Sequence, residues 1–292
     1  MSGESSSHSP STVEAVRQAT RHYENFNVIS FRQPRRIKDA LSSIYAYCRY
    51  ADDLADESDN PAEALSALNK WEADFNRSLE GFPHHPILDA LADTIYTFHL
   101  SPQPFRDLLI AFQQDQKVQR YQTFQDLLQY CRFSADPVGR IVLALFGYHE
   151  ERLFPASDAI CTGLQLANLW QDVHRDAVKR RIYIPLDDMA AHSVTEDDII
   201  QQHYTADFKE LMTFEVKRTR GYFEKGKELV GGVGWNLRWE IDMFRRAGIA
   251  VLDGIEGVNF DVLHRRPTIS SLKKALIAAL SLPALFRRSR YG

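Results

Sequence analysis

The sequence is poor in several things, and each shortage narrows what the chain can be. Only three of its 292 residues are cysteine, Cys48, Cys131 and Cys161, far apart and without a CxxC pair. That excludes a disulfide framework or a zinc ribbon and fits a reducing, cytoplasmic compartment. No apolar run reaches the ~18 residues a membrane-spanning helix needs, so none is expected. The formal net charge is −4, so no basic field points to nucleic acid as a partner. No segment alternates at period two for long, no repeat is visible, and no GxGxxG turn marks a nicotinamide fold. Met1 to Thr12 is rich in serine and lacks a basic-then-apolar pattern, so residues 1–11 read as a disordered tail rather than a targeting segment.

What remains is helix. Apolar residues recur at helical spacing over Thr12–Asn25, Arg35–Glu57, Ala62–Glu80, Pro86–Phe98, Gln103–Gln119 and Thr123–Phe133. They continue over Val138–Leu145, apolar on all sides, and over Ser157–Arg180, Thr195–Tyr204, Asp207–Leu229, Leu237–Ile255 and Ser270–Leu280. Pro61 suits a first helical turn, and Gly81-Phe82-Pro83 a stop. The one β-like piece is Arg181-Ile182-Tyr183-Ile184-Pro185. No linker separates the elements, which predicts a single all-α domain over 12–285 and a basic tail over 286–292.

Two helices carry polar rows. Asp52-Asp53-Leu54-Ala55-Asp56 puts three carboxylates into five residues of a helix. Asp52 and Asp56 share a face one turn apart, while Asp53 is turned off it and should tolerate change best. Like charges at that spacing repel by ~0.2–0.5 kcal/mol, and a divalent cation such as Mg²⁺ would offset the repulsion. The second row lies in Gln165 to Asp176, where Asn168, Asp172 and Asp176 follow at i, i+4 and i+8. Leu164, Leu166, Leu169, Trp170 and Val173 fill the other faces, so this helix is expected to be largely buried and its oxygen-bearing stripe to need a partner. Two such stripes facing each other across a bundle would make an all-oxygen cage for Mg²⁺ and a diphosphate. Arg49 shares the face of Asp52 and sits among Tyr45, Tyr47 and Tyr50. Arg175, Lys179, Arg180 and Arg181 follow the second row, and Arg265 and Arg266 lie near the C-terminal end. Arginine suits bidentate phosphate contacts.

With these residues in view the chain resembles the squalene/phytoene synthase family, over roughly Thr12 to Ile269. Four stretches carry the likeness: His22-Tyr23-Glu24-Asn25-Phe26, Tyr45 through Asp56, Tyr130-Cys131-Arg132 through Pro137-Val138-Gly139, and Gln165 to Asp176 followed by Arg181 to Pro185. The opening motif, Ser134 to Arg140 and Asn168 to Val173 look most like the bacterial hydroxysqualene synthases of the hopanoid pathway. The resemblance implies an all-α isoprenoid synthase bundle with a central active-site cavity. It implies Mg²⁺ held by Asp52, Asp56, Asn168, Asp172 and Asp176. It places His22, Tyr23, Glu24, Asn25, Tyr45, Arg49, Gln165, Arg181 and Phe260 at the substrate, and Tyr130 at the reacting centre. The implied substrate is presqualene diphosphate, taken to hydroxysqualene, or else two prenyl diphosphates joined head to head. The implied partners beyond the substrate are other enzymes of the pathway. A non-catalytic assembly factor with the same fold is the contrasting reading, but such relatives tend to lose the acidic rows, and both are intact here.

Two positions depart from the family pattern. Gln171 stands where many relatives have arginine, and Phe260 is the nearest match to a phosphate-binding tyrosine. Both changes are expected to weaken the grip on diphosphate. The carbocation would need a dry aromatic pocket, for which Phe26, Tyr45, Phe133, Phe146 and Trp170 are candidates. Finally, Leu272 to Leu285 is mostly apolar, begins with Lys273-Lys274 and runs into Arg287-Arg288-Ser289-Arg290, a pattern that suits a peripheral membrane surface.

Overall fold

A computed structural model describes residues 33–286, apart from 57, 59, 83 and 84. Those residues gather into two compact units that meet in sequence between Gln116 and Lys117, and each is taken by itself. The His22–Phe26 motif, the Thr12–Asn25 helix, the expected N-terminal tail and residues 287–292 of the expected basic tail lie outside the described residues.

Among the described residues the first unit holds four helices: α1 (Arg35–Asp56), α2 (Pro61–Leu79), α3 (Pro86–Phe98) and α4 (Gln103–Asp115). Its starts follow from local chemistry. The Asn60 side chain accepts from Ala62 N at 3.0 Å, with Pro61 in the first turn where its missing N–H costs nothing. His85 caps α3 in the same way, and α3 ends where His99 turns left-handed at φ 52°. α1 buries Leu41, Ala46, Tyr47, Ala51 and Ala55. Tyr47 is the centre of this core. Its ring lies 5.3 to 5.9 Å from those of Phe75, Phe105 and Trp71, and its hydroxyl donates to Phe105 O at 3.0 Å. Each such side chain contributes about 1.5–3 kcal/mol by leaving water. Tyr47 and Tyr50, expected around Arg49, thus turn to Trp71 instead, Tyr50 at 4.4 Å.

The second unit is built around α7 (Phe154–Gln171), α11 (Ala206–Gly232) and α12 (Trp235–Gly257). Before them come α5 (Phe124–Ser134), opened by a reciprocal Thr123–Asp126 cap, and α6 (Asp136–Leu145). α8 (Val173–Val178), α9 (Leu186–Ala191) and α10 (Glu196–Ile200) lie between α7 and α11, and α13 (Ser271–Ser281) and α14 (Pro283–Phe286) close the chain. Leu143, Ile160, Val230 and Leu237 bring α6, α7, α11 and α12 to one core. Phe223 of α11 is fully buried because its neighbours lack side chains. A Cβ on Gly248 would fall 2.2 Å from its ring, and one on Gly163 3.0 Å.

Three expectations change. The helix expected over Gln103–Gln119 stops at Asp115, because the following segment is drawn out to pair with the β-like piece. Ile182 N donates to Gln119 O at 3.0 Å and Leu186 N to Tyr121 O at 2.9 Å, with an isolated bridge at Arg120–Ile182. Among the described residues this bridge is all the β-structure there is. The helix expected over Ser157–Arg180 breaks at Asp172. Residues 138–145 are not buried all round: Val138 is 39% exposed, and Arg140 reaches Asp158 at 2.8 Å.

Candidate active site

The first row stands on the solvent side of α1. Arg49 Nη1 meets Asp52 Oδ2 at 2.5 Å, and Nη2 meets Asp53 Oδ1 at 2.5 Å. One guanidinium thus pairs with two carboxylates from within its own helix, at i+3 and i+4, leaving the trio one negative charge. Asp53, turned off the face of Asp52 and Asp56, shares Arg49 with Asp52. Asp56 is exposed one turn beyond Asp52, and Tyr45 is half-buried one turn before Arg49. Burial pushes the Cys48 thiol up to about 12, with Asp52 adding to the shift, so no thiolate forms here.

The second row lies on the outer face of α7 and α8. Leu166, Ala167, Leu169 and Trp170 are buried on the other side, and Trp170 Nε1 donates to Thr219 Oγ1 at 2.7 Å. Gln165 is half-buried, Asn168 exposed, and Asp172 and Asp176 half-buried. The stripe is therefore reachable from solvent, and burial without a partner does not arise. Although the helix breaks at Asp172 (φ −106°, ψ 13°), Asp172 N still bonds Asn168 O at 3.0 Å and Asp176 N bonds Asp172 O at 2.9 Å. The i, i+4, i+8 register survives the break.

Asp172 takes a fork from Arg266, whose Nε lies 2.5 Å from Oδ1 and Nη2 2.9 Å from Oδ2. This geometry is the strong form of a charge-assisted pair. Asp172 in turn holds the Arg266 charge more firmly than usual. Buried Gln171 fixes the arrangement: its Oε1 accepts from Arg266 Nη2 at 3.3 Å, and its Nε2 donates to Pro267 O. The position that departs from the family pattern thus orients an arginine 95 residues downstream. The turn that returns the chain passes through Asn259 and Phe260, both left-handed at φ 57° and 65°. Phe260 is half-buried, with its N–H on Ile255 O at 2.8 Å, and Tyr204 anchors Asn259 O at 2.6 Å.

Arg181 and Asp176 line one small cavity with Leu169, Val173, Tyr183 and Ile184, and Arg181 N bonds Asp176 O at 2.8 Å. Tyr130 is buried against Tyr121 and Tyr183 at 5.5 and 5.6 Å. Those two tyrosines escaped the sequence reading, though one stands inside the β-like piece. Among the pocket candidates, Trp170 and Phe146 belong to the core of this unit; Tyr45 and Phe133 are half-buried; Phe26 lies outside the described residues.

Among the described residues no three His, Cys, Asp or Glu side chains converge on one point. The donors nevertheless fit a hard cation. Both rows offer only oxygen, and Mg²⁺ takes one or two carboxylates and completes its shell with water and phosphate. Asp52 and Asp56 stand one turn apart on α1.

Comparison with known proteins places this arrangement. The family model for squalene/phytoene synthase matches residues 19–273. A phytoene synthase of Arthrospira platensis is 32% identical over 92% of this chain and 92% of its own length. The crystal structure of squalene synthase HpnC from Alicyclobacillus acidocaldarius is similar at a TM-score of 0.81 and 38% identity, covering 86% of this chain and 95% of that one. A dehydrosqualene synthase shares the fold at a TM-score of 0.85 and 21% identity, over 94% and 96% of the two chains. The chain belongs to the squalene/phytoene synthase family and has its all-α isoprenoid synthase fold. Its function is therefore of the prenyltransferase type, within isoprenoid biosynthesis.

Proposed function

We propose that this enzyme ionises presqualene diphosphate and captures water on the resulting carbocation, giving hydroxysqualene. The observation that carries the reading is that each acidic row has its own arginine in place, Arg49 on α1 and Arg266 at Asp172. A diphosphate leaving group needs both signs of charge: carboxylates to hold cations, and guanidinium groups to meet phosphate oxygens. Asp52 and Asp56, and Asn168, Asp172 and Asp176, would hold Mg²⁺. When bound, that metal supplies Lewis-acid stabilisation of the charge developing on diphosphate. Arg49 beside the first row, and Arg266 and Arg181 beside the second, would each meet phosphate oxygens, with Tyr45, Gln165 and the His22–Asn25 motif assigned to the prenyl end. Tyr130, with Tyr121 and Tyr183, offers an aromatic surface to the cation.

The choice of reaction is supported by the Ser134–Arg140 and Asn168–Val173 stretches and by the 38% identity to the HpnC structure. The phytoene synthase relatives favour a second reading, head-to-head condensation of two prenyl diphosphates. Incubation with Mg²⁺ and either presqualene diphosphate or farnesyl diphosphate, followed by mass spectrometry, separates the two. Hydroxysqualene from presqualene diphosphate alone is expected; phytoene, or presqualene diphosphate made from the shorter substrate, sinks the first reading.

We also propose that α13 rests on an anionic membrane surface. Leu272, Leu276 and Leu280 are 81%, 55% and 50% exposed at successive turns, while Ile277 packs on Trp239, Met243 and Ala250. Lys273 and Lys274 stand in its first turn. An apolar stripe edged by lysine suits the headgroup boundary, where a long hydrocarbon product can leave. Among the described residues no helix is long and apolar enough to cross a membrane. Pelleting with phosphatidylglycerol-containing vesicles should be strong, sensitive to salt, and lost in Leu272→Ser/Leu276→Ser/Leu280→Ser. Equal pelleting of that variant would refute the placement.

A further inference from the structure

The joint between α5 and α6 holds polar groups that the scheme above leaves unused. Ser134 ends α5 and Asp136 opens α6, on either side of a turn at Ala135 (φ −128°, ψ −53°). The Asp136 carboxylate is only 6% exposed. Its Oδ1 accepts from Thr162 Oγ1 at 2.9 Å, and Thr162 is its hydrogen-bond partner among the described residues. The Ser134 hydroxyl is buried and makes no hydrogen bond. Burying a carboxylate against one neutral hydroxyl is costly, and the buried Ser134 hydroxyl, two residues away in sequence, leaves hydrogen-bonding capacity at this joint that a water would satisfy. For packing alone, an apolar residue would serve better.

The surroundings set the chemistry. Charged and titratable neighbours come from every packed element: Arg132 and Cys131 on α5, Arg140 on α6, Asp158 and Cys161 on α7, and Tyr222 on α11. Burial pushes the Asp136 carboxyl up to about 7, Asp158 adding and Thr162, Arg140 and Arg132 opposing. A base poised near working pH is where general-base catalysis is most effective. Thr162 also lies three residues before Gln165, so the partner of Asp136 stands one turn from a side chain assigned above to the prenyl substrate.

We propose that Asp136 is the general base that deprotonates the captured water, an inference that rests on the hydroxysqualene reading. The carbon–oxygen bond to diphosphate breaks with its electron pair on the leaving group. A lone pair of the water oxygen then forms the new carbon–oxygen bond to the cationic carbon. One proton of that water passes to the Asp136 oxygen not engaged by Thr162 and returns to solvent after the alcohol departs.

The test uses the full chain with Mg²⁺ and presqualene diphosphate in H₂¹⁸O, reading diphosphate release and ¹⁸O-labelled alcohol separately. Asp136→Asn keeps an acceptor for Thr162 and removes the base. Hydroxysqualene formation should fall by about a hundredfold or more. Diphosphate release should fall by less than about tenfold, with the difference appearing as elimination products. In Thr162→Val the carboxylate loses its stabilising hydrogen bond. The alcohol should persist, with the acidic limb of its pH profile, near 7 in wild type, moved upward. Labelled hydroxysqualene at the wild-type rate from Asp136→Asn overturns the proposal, as does a parallel loss of release and alcohol, or an unmoved acidic limb in Thr162→Val. If wild type releases diphosphate without forming any alcohol, the hydroxysqualene reading itself has failed.

Discussion

The two acidic rows solve one electrostatic problem in different ways. On α1 three carboxylates share five residues, and the compensating Arg49 comes from the same helix. At the α7–α8 break the compensating Arg266 comes from 94 residues away, and a buried glutamine positions it. The first solution is local and half-solvated, with Asp52 42% and Arg49 31% exposed. The second is a fork onto a carboxylate only 14% exposed. Local pairs on a solvated helix contribute a few tenths of a kcal/mol, whereas a shielded bidentate pair contributes more and costs more when broken. One row is thus tuned for adjustment, the other for fixed geometry.

The largest expected effect ignores this difference. Asp52→Asn and Asp172→Asn should each lower turnover of presqualene diphosphate by about a thousandfold, leaving the helical circular dichroism unchanged. Full activity in either variant would remove that row from the metal-binding reading. The arginines should then separate the rows. Arg266→Ala strips a shielded carboxylate of its fork and should cost about 1–3 kcal/mol, a fall in Tm of several degrees. Arg49→Ala should move Tm by a degree or less. Equal shifts would mean that the fork is no stronger than the helical pair.

A pH series gives a smaller signal. Between its ordinary value near 4 and about 7, folded Asp136 keeps a proton that the unfolded chain releases. The folded state then binds more protons, so stability falls as pH rises through that window. The wild-type-minus-Asp136→Asn difference in Tm should therefore decline from pH 5 to pH 7.5, and a flat difference would contradict the assignment. The smallest effect is expected of Asp53→Asn, which removes one of the two Arg49 contacts and should change kcat/KM by about two- to fivefold.

The sequence was a good guide wherever the cause was local. Helical period placed the buried face of Leu166, Leu169, Trp170 and Val173, and Pro61, Pro86 and Thr123 marked starts within a residue or two. Asp52, Asp56 and the Asn168–Asp172–Asp176 register were visible from spacing alone. Distant causes were not. The end of α4 depends on Gln119 and Tyr121 pairing with the Ile182–Leu186 segment, which no local preference announces. Gln171 looked like a lost phosphate contact because its partner Arg266 is far along the chain. Asp136 stood before the expected 138–145 helix with no role assigned, and only the packing of α5, α7 and α11 around it shows a buried carboxylate.

The central claim is that this chain carries presqualene diphosphate through ionisation to water capture. Its most direct test is wild-type protein with Mg²⁺ and presqualene diphosphate in H₂¹⁸O, with the lipid product weighed by mass spectrometry. The claim predicts hydroxysqualene carrying one ¹⁸O for each diphosphate released. Untouched presqualene diphosphate, together with phytoene or presqualene diphosphate formed from shorter prenyl diphosphates, would contradict it.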